Sequence, residues 1–100
     1  MKMIAPTTDN SGTLRYHILT QREIEYLSLA ALGCKNKEIA TKLIVSCSTV
    51  KKTFETVFRK LQARNKTNAV TKAFLLGILT PRILTNVQDR YYVYLYIKKG

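Results

Sequence analysis

The order of hydrophobic and polar residues along the chain predicts a row of short helices. A first helix over roughly 21–32 begins after Thr20, which forms a capping-box pattern with Glu23, and ends at Gly33. Asn36, a favourable N-cap residue, is predicted to cap a second, shorter helix that starts after it. The apolar positions on one side of this second helix are Ile39, Ala40 and Leu43.

The third predicted helix separates its apolar and polar positions most clearly. Ser46 is placed to cap it, and its apolar residues follow one helical face over about four turns. Those apolar residues are Val50, Phe54, Val57, Phe58 and Leu61. The opposite face carries Ser48, Thr49, Lys51, Lys52, Glu55 and Arg59. We therefore expect this helix to pack through its apolar side and to expose hydroxyls and cations.

A fourth helix is predicted to begin at Thr67. It is expected to end at Thr80 and Pro81, because proline disfavours helical geometry in the residue before it. Its apolar residues cover more surface than one packing side requires. Val70 and Phe74 belong to the packing side, and the residues that fall partly outside it are Leu75, Leu76 and Leu79. This is more apolar surface than the core of a monomer needs, and its simplest explanation is a second packing contact with the C-terminal segment.

The C-terminal segment is rich in strand-forming residues, and residues 90–99 predict a β-strand. Four of the six tyrosines of the chain lie there. A lone strand is unstable, so we expect it to pair with the alternating run 14–18 or with the same strand of a second chain. Tyrosines stacking on single-stranded bases are a less common alternative.

Basic residues are concentrated in the predicted second and third helices. The 100-residue chain has 17 Lys and Arg against 6 Asp and Glu, a formal net charge of +11. Residues 35–66 hold nine basic and two acidic side chains, which leaves +7 in one third of the chain. This concentration indicates a polyanion as the binding partner. The alternatives are a lysine-rich solubilising surface and anionic lipid, and no long amphipathic helix supports the second of these.

Length and composition narrow the class of protein further. One hundred residues with 46% hydrophobic content suit one globular domain. No apolar run approaches the ~20 residues of a membrane span, and the N-terminus lacks a secretory signal, so we expect a cytoplasmic protein without membrane contact. Cys34, Cys47 and the one histidine, His17, lack zinc-ligand spacing. Without paired carboxylates or a nucleophile–base set, the sequence predicts no enzyme, no metal and no cofactor.

Five blocks of the sequence resemble the LuxR/GerE-type helix-turn-helix domain, in register with that family. The blocks are 19–25 with Gly33, 36–40, Ser46 with 49–51, 60–61 with 65–67, and 69–70 with 76–79. The resemblance implies an all-α, four-helix bacterial transcription-factor domain over 19–79. An N-terminal arm over 1–18 and a C-terminal extension over 80–100 complete the predicted organisation.

The same resemblance implies a transcriptional regulator that binds duplex DNA with its third helix in the major groove. The family's base-reading positions correspond to Lys51, Lys52 and Glu55. Its phosphate contacts correspond to Lys37, Ser48, Thr49, Arg59 and Lys66. Homodimerisation through the fourth helix is implied for Val70, Phe74, Leu75, Leu76 and Leu79. Lysine can donate to guanine N7 and O6, and glutamate can accept from cytosine N4.

The chain differs from the family pattern where the third helix ends. Gln62 and Ala63 replace the usual glycine and valine, so we expect the third helix to run longer or to turn differently. The main alternative function is a protein-interaction adaptor or anti-activator that binds another regulator through the fourth helix and the tyrosine-rich tail. A sigma-factor-like promoter-binding region is a related alternative.

Overall fold

The computed structural model describes residues 18–94 and confirms the all-α fold class. Its helices are α1 (Gln21–Ala31), α2 (Asn36–Leu43), α3 (Cys47–Leu61), α4 (Lys66–Leu75) and α5 (Pro81–Tyr91). Within this range no residue lies in a β-strand, and no helix is long and apolar enough to cross a membrane. Most of the predicted N-terminal arm, residues 1–17, lies outside the described residues, as do residues 95–100.

α1 lies at the centre of the domain and packs against each of the other four helices. Leu27 and Leu29 are fully buried in it. Ser28, between them, satisfies its buried hydroxyl by donating to the backbone carbonyl one turn earlier at 2.7 Å. The rings of Tyr26 and Phe54 meet edge to face with centroids 6.0 Å apart. This ring contact joins α3 to α1.

The two ends of α1 confirm the predicted caps. The Thr20 hydroxyl accepts from the Glu23 N–H at 3.0 Å, and the Glu23 carboxylate accepts from the Thr20 N–H at 2.9 Å. At the other end Gly33 adopts φ +96°. The Cys34 N–H then donates to the Leu29 carbonyl at 3.0 Å, which closes the helix in a Schellman motif.

α2 and α4 each begin one residue earlier than the sequence predicts. Asn36 is helical instead of capping, and Lys35 is the N-cap residue. The Glu38 carboxylate accepts from the Lys35 N–H at 2.7 Å, which satisfies one orphan donor of the first turn. α4 starts at Lys66 because Asn65 caps it, accepting from the backbone N–H three residues on at 2.8 Å.

α4 ends five residues before the predicted stop at Thr80, and Gly77 is the reason. Gly77 adopts φ +77°, and the Ile78 N–H donates to the Ala73 carbonyl at 2.8 Å. A glycine enters this conformation at little cost, so it overrides the apolar pattern that continues beyond it. Leu79 is consequently not on α4, and its side chain is buried in the core at 1% exposure.

α3 ends at Leu61, so the exchange of glycine for Gln62 does not lengthen it. Gln62 takes the left-handed conformation at φ 54°, and the Ala63 N–H donates to the Phe58 carbonyl at 2.8 Å. The Lys72 ammonium donates to the Gln62 carbonyl at 2.6 Å. The fold therefore keeps a glycine-type helix end without the glycine.

α5 replaces the beginning of the predicted strand. Thr80 caps it by accepting from the Ile83 N–H at 3.2 Å, and Pro81 occupies its first turn. Arg90 and Tyr91 belong to this helix, so the prediction of a strand over 90–99 is wrong at its start. The apolar stripe Ile83, Leu84, Val87 and Tyr91 faces the core. Tyr92, Val93 and Tyr94 follow the helix and lie in no strand either, so the prediction is also wrong there. Residues 95–99, and residues 14–17 of the suggested partner run 14–18, lie outside the described residues.

Candidate nucleic-acid interface

α2, a short turn and α3 form one compact unit. Ile39, Ala40 and Leu43 are the buried residues of α2. Ile44 enters the left-handed region at φ 57°, and the Val45 N–H donates to the Ala40 carbonyl at 3.0 Å. Ser46 then caps the start of α3 as predicted, and its hydroxyl accepts from the Thr49 N–H at 3.1 Å. The tight turn fixes which side of α3 meets the core.

α3 buries the predicted stripe and exposes the predicted polar face. Val50, Phe54, Val57 and Leu61 are buried, and Phe58 is half-buried. Lys51, Lys52, Glu55 and Arg59 are exposed side by side on the outer surface. Since a 15-residue α-helix spans about 22 Å, this surface is long enough to follow several base pairs of a duplex groove.

The exposed cations of this face have no partners within residues 18–94. The ion pairs in that range join Lys60 to Glu23, and Arg22 and Arg90 to Glu25. In the same range the side chains of Lys37, Lys51, Lys52 and Arg59 form no ion pair and no hydrogen bond. Their charge is therefore available to an external anion, in contrast to that of Lys60.

Two hydroxyls predicted to contact phosphate lie at the first turn of α3. The Ser46 hydroxyl donates to Thr49 Oγ1 at 2.9 Å and lies 3.2 Å from Ser48 Oγ. Ser48 and Thr49 are both exposed. The N-cap side chain therefore orients these hydroxyls where the backbone N–H groups of the helix also point outward.

The first turn of α2 adds two lysines to the same unit. Lys37, a predicted phosphate contact, is exposed next to Asn36. Lys35 is also exposed, and the sequence reasoning did not include it among the site residues. The two lysines that flank Asn36 are the sequence signal that could have identified Lys35 as a site residue.

Lys66 is placed differently from the other predicted phosphate contacts. Its ammonium donates to Asn36 Oδ1 at 2.7 Å and lies 5.2 Å from the centroid of the Phe54 ring. The side chain is half-buried and links the start of α4 to the start of α2. Lys66 therefore positions the first turn of α2 in addition to contributing charge near it.

Lys60 and Glu23 hold the end of α3 against the start of α1. The Lys60 ammonium lies 2.9 and 3.1 Å from the two carboxylate oxygens of Glu23. Burial alone would raise the pKa of Glu23, but the hydrogen bond from the Thr20 backbone and the charge of Lys60 outweigh it and lower that pKa. The same carboxylate thus caps α1 and orients α3.

The predicted dimerisation residues divide into exposed and buried ones. Leu75 is 81% exposed and Phe74 is 39% exposed, while Val70 and Leu76 are half-buried. These four residues leave an apolar surface on and just beyond α4. Leu79 is buried against the core and is therefore removed from the set that could meet a partner.

Two helices joined by a tight turn, with the second presenting a cationic face, define a helix-turn-helix domain. Residues 17–73 match the family of bacterial regulatory proteins described as the luxR family. The chain belongs to this luxR family, as the sequence blocks predicted.

Curated relatives carry the names of regulators. The chain is 36% identical over 77 residues to the probable csgAB operon transcriptional regulatory protein of Salmonella typhimurium, covering 72% of this chain and 36% of that protein. It is 42% identical over 80 residues to the transcriptional activator protein VanR of Vibrio anguillarum, covering 72% and 33%. It is 45% identical over 62 residues to the transcriptional regulatory protein YdfI of Bacillus subtilis, and the match covers 62% of this chain and 29% of that protein. The chain thus spans about a third of these relatives. No solved structure matches it significantly.

Proposed function

We propose that this chain is a transcriptional regulator that binds duplex DNA sequence-specifically, with α3 in the major groove. The observation that carries the proposal is the row of exposed cations on α3 without partners among the described residues. An α-helix fits the major groove, where each base pair presents a distinct pattern of donors and acceptors. The relatives' names support a regulatory role for such binding.

The site residues divide into two groups in this proposal. The base contacts are Lys51, Lys52 and Glu55. The phosphate contacts are Lys37, Ser48, Thr49, Arg59 and Lys66. Phosphate contacts provide affinity without sequence information, whereas base contacts provide discrimination. The partial positive charge at the start of α2 supports a phosphate near Lys37.

Dimerisation through α4 is part of the same proposal. Two α3 helices on one face of the DNA would then read half-sites about one helical turn apart, ~10 bp centre to centre. The exposed Phe74 and Leu75 support α4 as the contact. A protein-interaction adaptor is a second candidate, and it is supported by the exposed Tyr92 and Tyr94 at the end of the described chain.

Duplex binding measured by fluorescence anisotropy tests the proposal. Lys51→Ala or Lys52→Ala should relax sequence preference, while Lys37→Ala should weaken binding to all duplexes and reduce the salt slope by ~1. Arg82→Ala is the matched control, because Arg82 is an exposed cation on α5 and belongs to neither α2 nor α3. Absence of duplex binding at low salt would overturn the proposal. A dimer that ignores DNA would favour the adaptor instead.

A further inference from the structure

Glu55 is the one acidic side chain on the exposed face of α3. It lies one turn after Lys51 and one turn before Arg59, the spacing at which helical ion pairs form. No ion pair among residues 18–94 includes it. The other glutamates in that range are used within the fold: Glu23, Glu25 and Glu38.

An exposed carboxylate among these cations lowers affinity for any phosphate backbone by repulsion. An ion pair within α3 does not explain its presence, because Glu55 pairs with none of Lys51, Lys52 and Arg59. The repulsion between this carboxylate and the phosphates is offset where the DNA supplies a hydrogen-bond donor to the carboxylate. In the major groove those donors are the N4 amino group of cytosine and the N6 amino group of adenine.

Cytosine suits a carboxylate better than adenine does. The adenine amino group lies between two acceptors, adenine N7 and thymine O4, and both repel an anionic acceptor. The cytosine amino group lies at the edge of its base pair with an acceptor on one side only. A carboxylate therefore approaches a C·G pair from the cytosine side with less repulsion.

We propose that Glu55 is a specificity-determining residue that selects a cytosine and disfavours duplexes lacking one at its position. This inference rests on the proposed function. Four residues of helix, about 6 Å, separate Lys51 from Glu55, and base pairs are stacked about 3.4 Å apart. The cytosine is therefore expected within two base-pair steps of the guanine that Lys51 contacts.

Selection of bound duplexes from a random pool tests this inference, using the unaltered chain, Glu55→Ala and Glu55→Gln. The unaltered chain should prefer C·G at one position about tenfold, and Glu55→Ala should lose that preference at that position alone. Glu55→Gln should shift it toward A·T, since glutamine pairs with adenine N6 and N7. Asp89→Asn on α5 removes the same charge from an exposed site and should leave the motif unchanged.

A second measurement tests the contribution of the cytosine N4 amino group to affinity. The selected cytosine is replaced by 2-pyrimidinone, which lacks the N4 amino group. The unaltered chain should then lose about tenfold in affinity, and Glu55→Ala should lose none. Equal losses for the two proteins, or an unchanged motif with Glu55→Ala, would overturn the inference while leaving DNA binding intact. Failure of the unaltered chain to bind any duplex would instead overturn the proposed function.

Discussion

Gln62 and Glu23 show how single residues fix the C-terminal end of α3 and its position against α1. Gln62 adopts a left-handed backbone that glycine adopts at lower cost, at φ 54°. The Lys72 ammonium bonded to its carbonyl supports this helix end. Glu23 satisfies the first turn of α1 and pairs with Lys60 in the last turn of α3. Both residues therefore affect α3 through contacts outside its exposed face.

Gln62→Gly should stabilise the fold by about 1 kcal/mol. The substitution relieves the cost of a left-handed conformation for a residue with a Cβ, and the greater freedom of glycine in the unfolded chain offsets part of that gain. Urea denaturation of the two proteins gives the difference. Gly33→Ala is the opposite substitution at a left-handed helix end, and it should lower the free energy of unfolding by about 1 kcal/mol. Since no atom lies within 4 Å of the added Cβ, this loss would come from the backbone conformation at φ +96°. A loss of stability in Gln62→Gly would contradict the assignment of strain.

Glu23→Gln should destabilise the protein at neutral pH by about 1 kcal/mol, because the cap is weakened and the partner of Lys60 is lost. The folded-state pKa of Glu23 is below its ordinary value of 4.5. The stabilisation by its carboxylate is therefore present above pH 4.5 and is lost as the pH falls through the folded-state pKa. Urea denaturation from pH 7 to pH 3 should show this loss in the unaltered chain and a smaller one in Glu23→Gln. Parallel pH profiles would refute the prediction.

α5 lies outside the matched family segment and yet contributes to the core. Val87 is buried at 3% exposure, and the Arg90 guanidinium lies 2.6 Å from the Glu25 carboxylate of α1. The Lys42 ammonium of α2 donates to the Tyr91 carbonyl at 3.4 Å. The helix thereby contacts both α1 and the helix-turn-helix unit.

Val87→Ala should lower the free energy of unfolding by about 2 kcal/mol, because it removes two buried methyl groups and leaves a cavity between α5 and α1. Thr85→Ala, at an exposed position on the same helix, should change it by less than about 0.5 kcal/mol. Thermal denaturation at one protein concentration measures both. Equal effects of the two substitutions would mean that α5 does not pack on the core in solution.

The complete domain presents two distinct surfaces, the cationic face of α3 and the apolar residues of α4. Leu75 is the most exposed of the predicted dimerisation residues, at 81%. An aliphatic side chain this exposed gains free energy when a second copy covers it. Cooperative binding to paired half-sites would then depend on α4, and binding to one half-site would depend on α3.

Leu75→Glu should convert a dimer to a monomer in sedimentation measurements, because two copies would bring like charges into an apolar contact. Its affinity for one half-site should be unchanged, while its affinity for two half-sites ~10 bp apart should fall. Tyr94→Glu, at an exposed aromatic residue outside α4, is the control. If Tyr94→Glu dissociates the dimer and Leu75→Glu does not, the tail forms the contact.

Local signals predicted most of this fold because they act over one or two helical turns. The hydroxyl of Thr20, the cap at Ser46 and the apolar stripe of α3 are each sufficient within a short segment. The same reasoning failed where two local signals competed. Apolar spacing beyond Gly77 outweighed the glycine in the prediction, and the tyrosine-rich end hid the helix start at Thr80 and Pro81.

The amino-acid order alone determined the fold class and the exposed face of α3, because capping and periodicity depend on neighbours in the chain. It did not determine which cations are free. Lys60 and Lys66 are as basic as Lys51 and Lys52, yet they bond to residues 37 and 30 positions away. Such pairs form only when packing on α1 brings distant segments together. Tertiary structure therefore separated the lysines that hold α3 in place from those available to a polyanion.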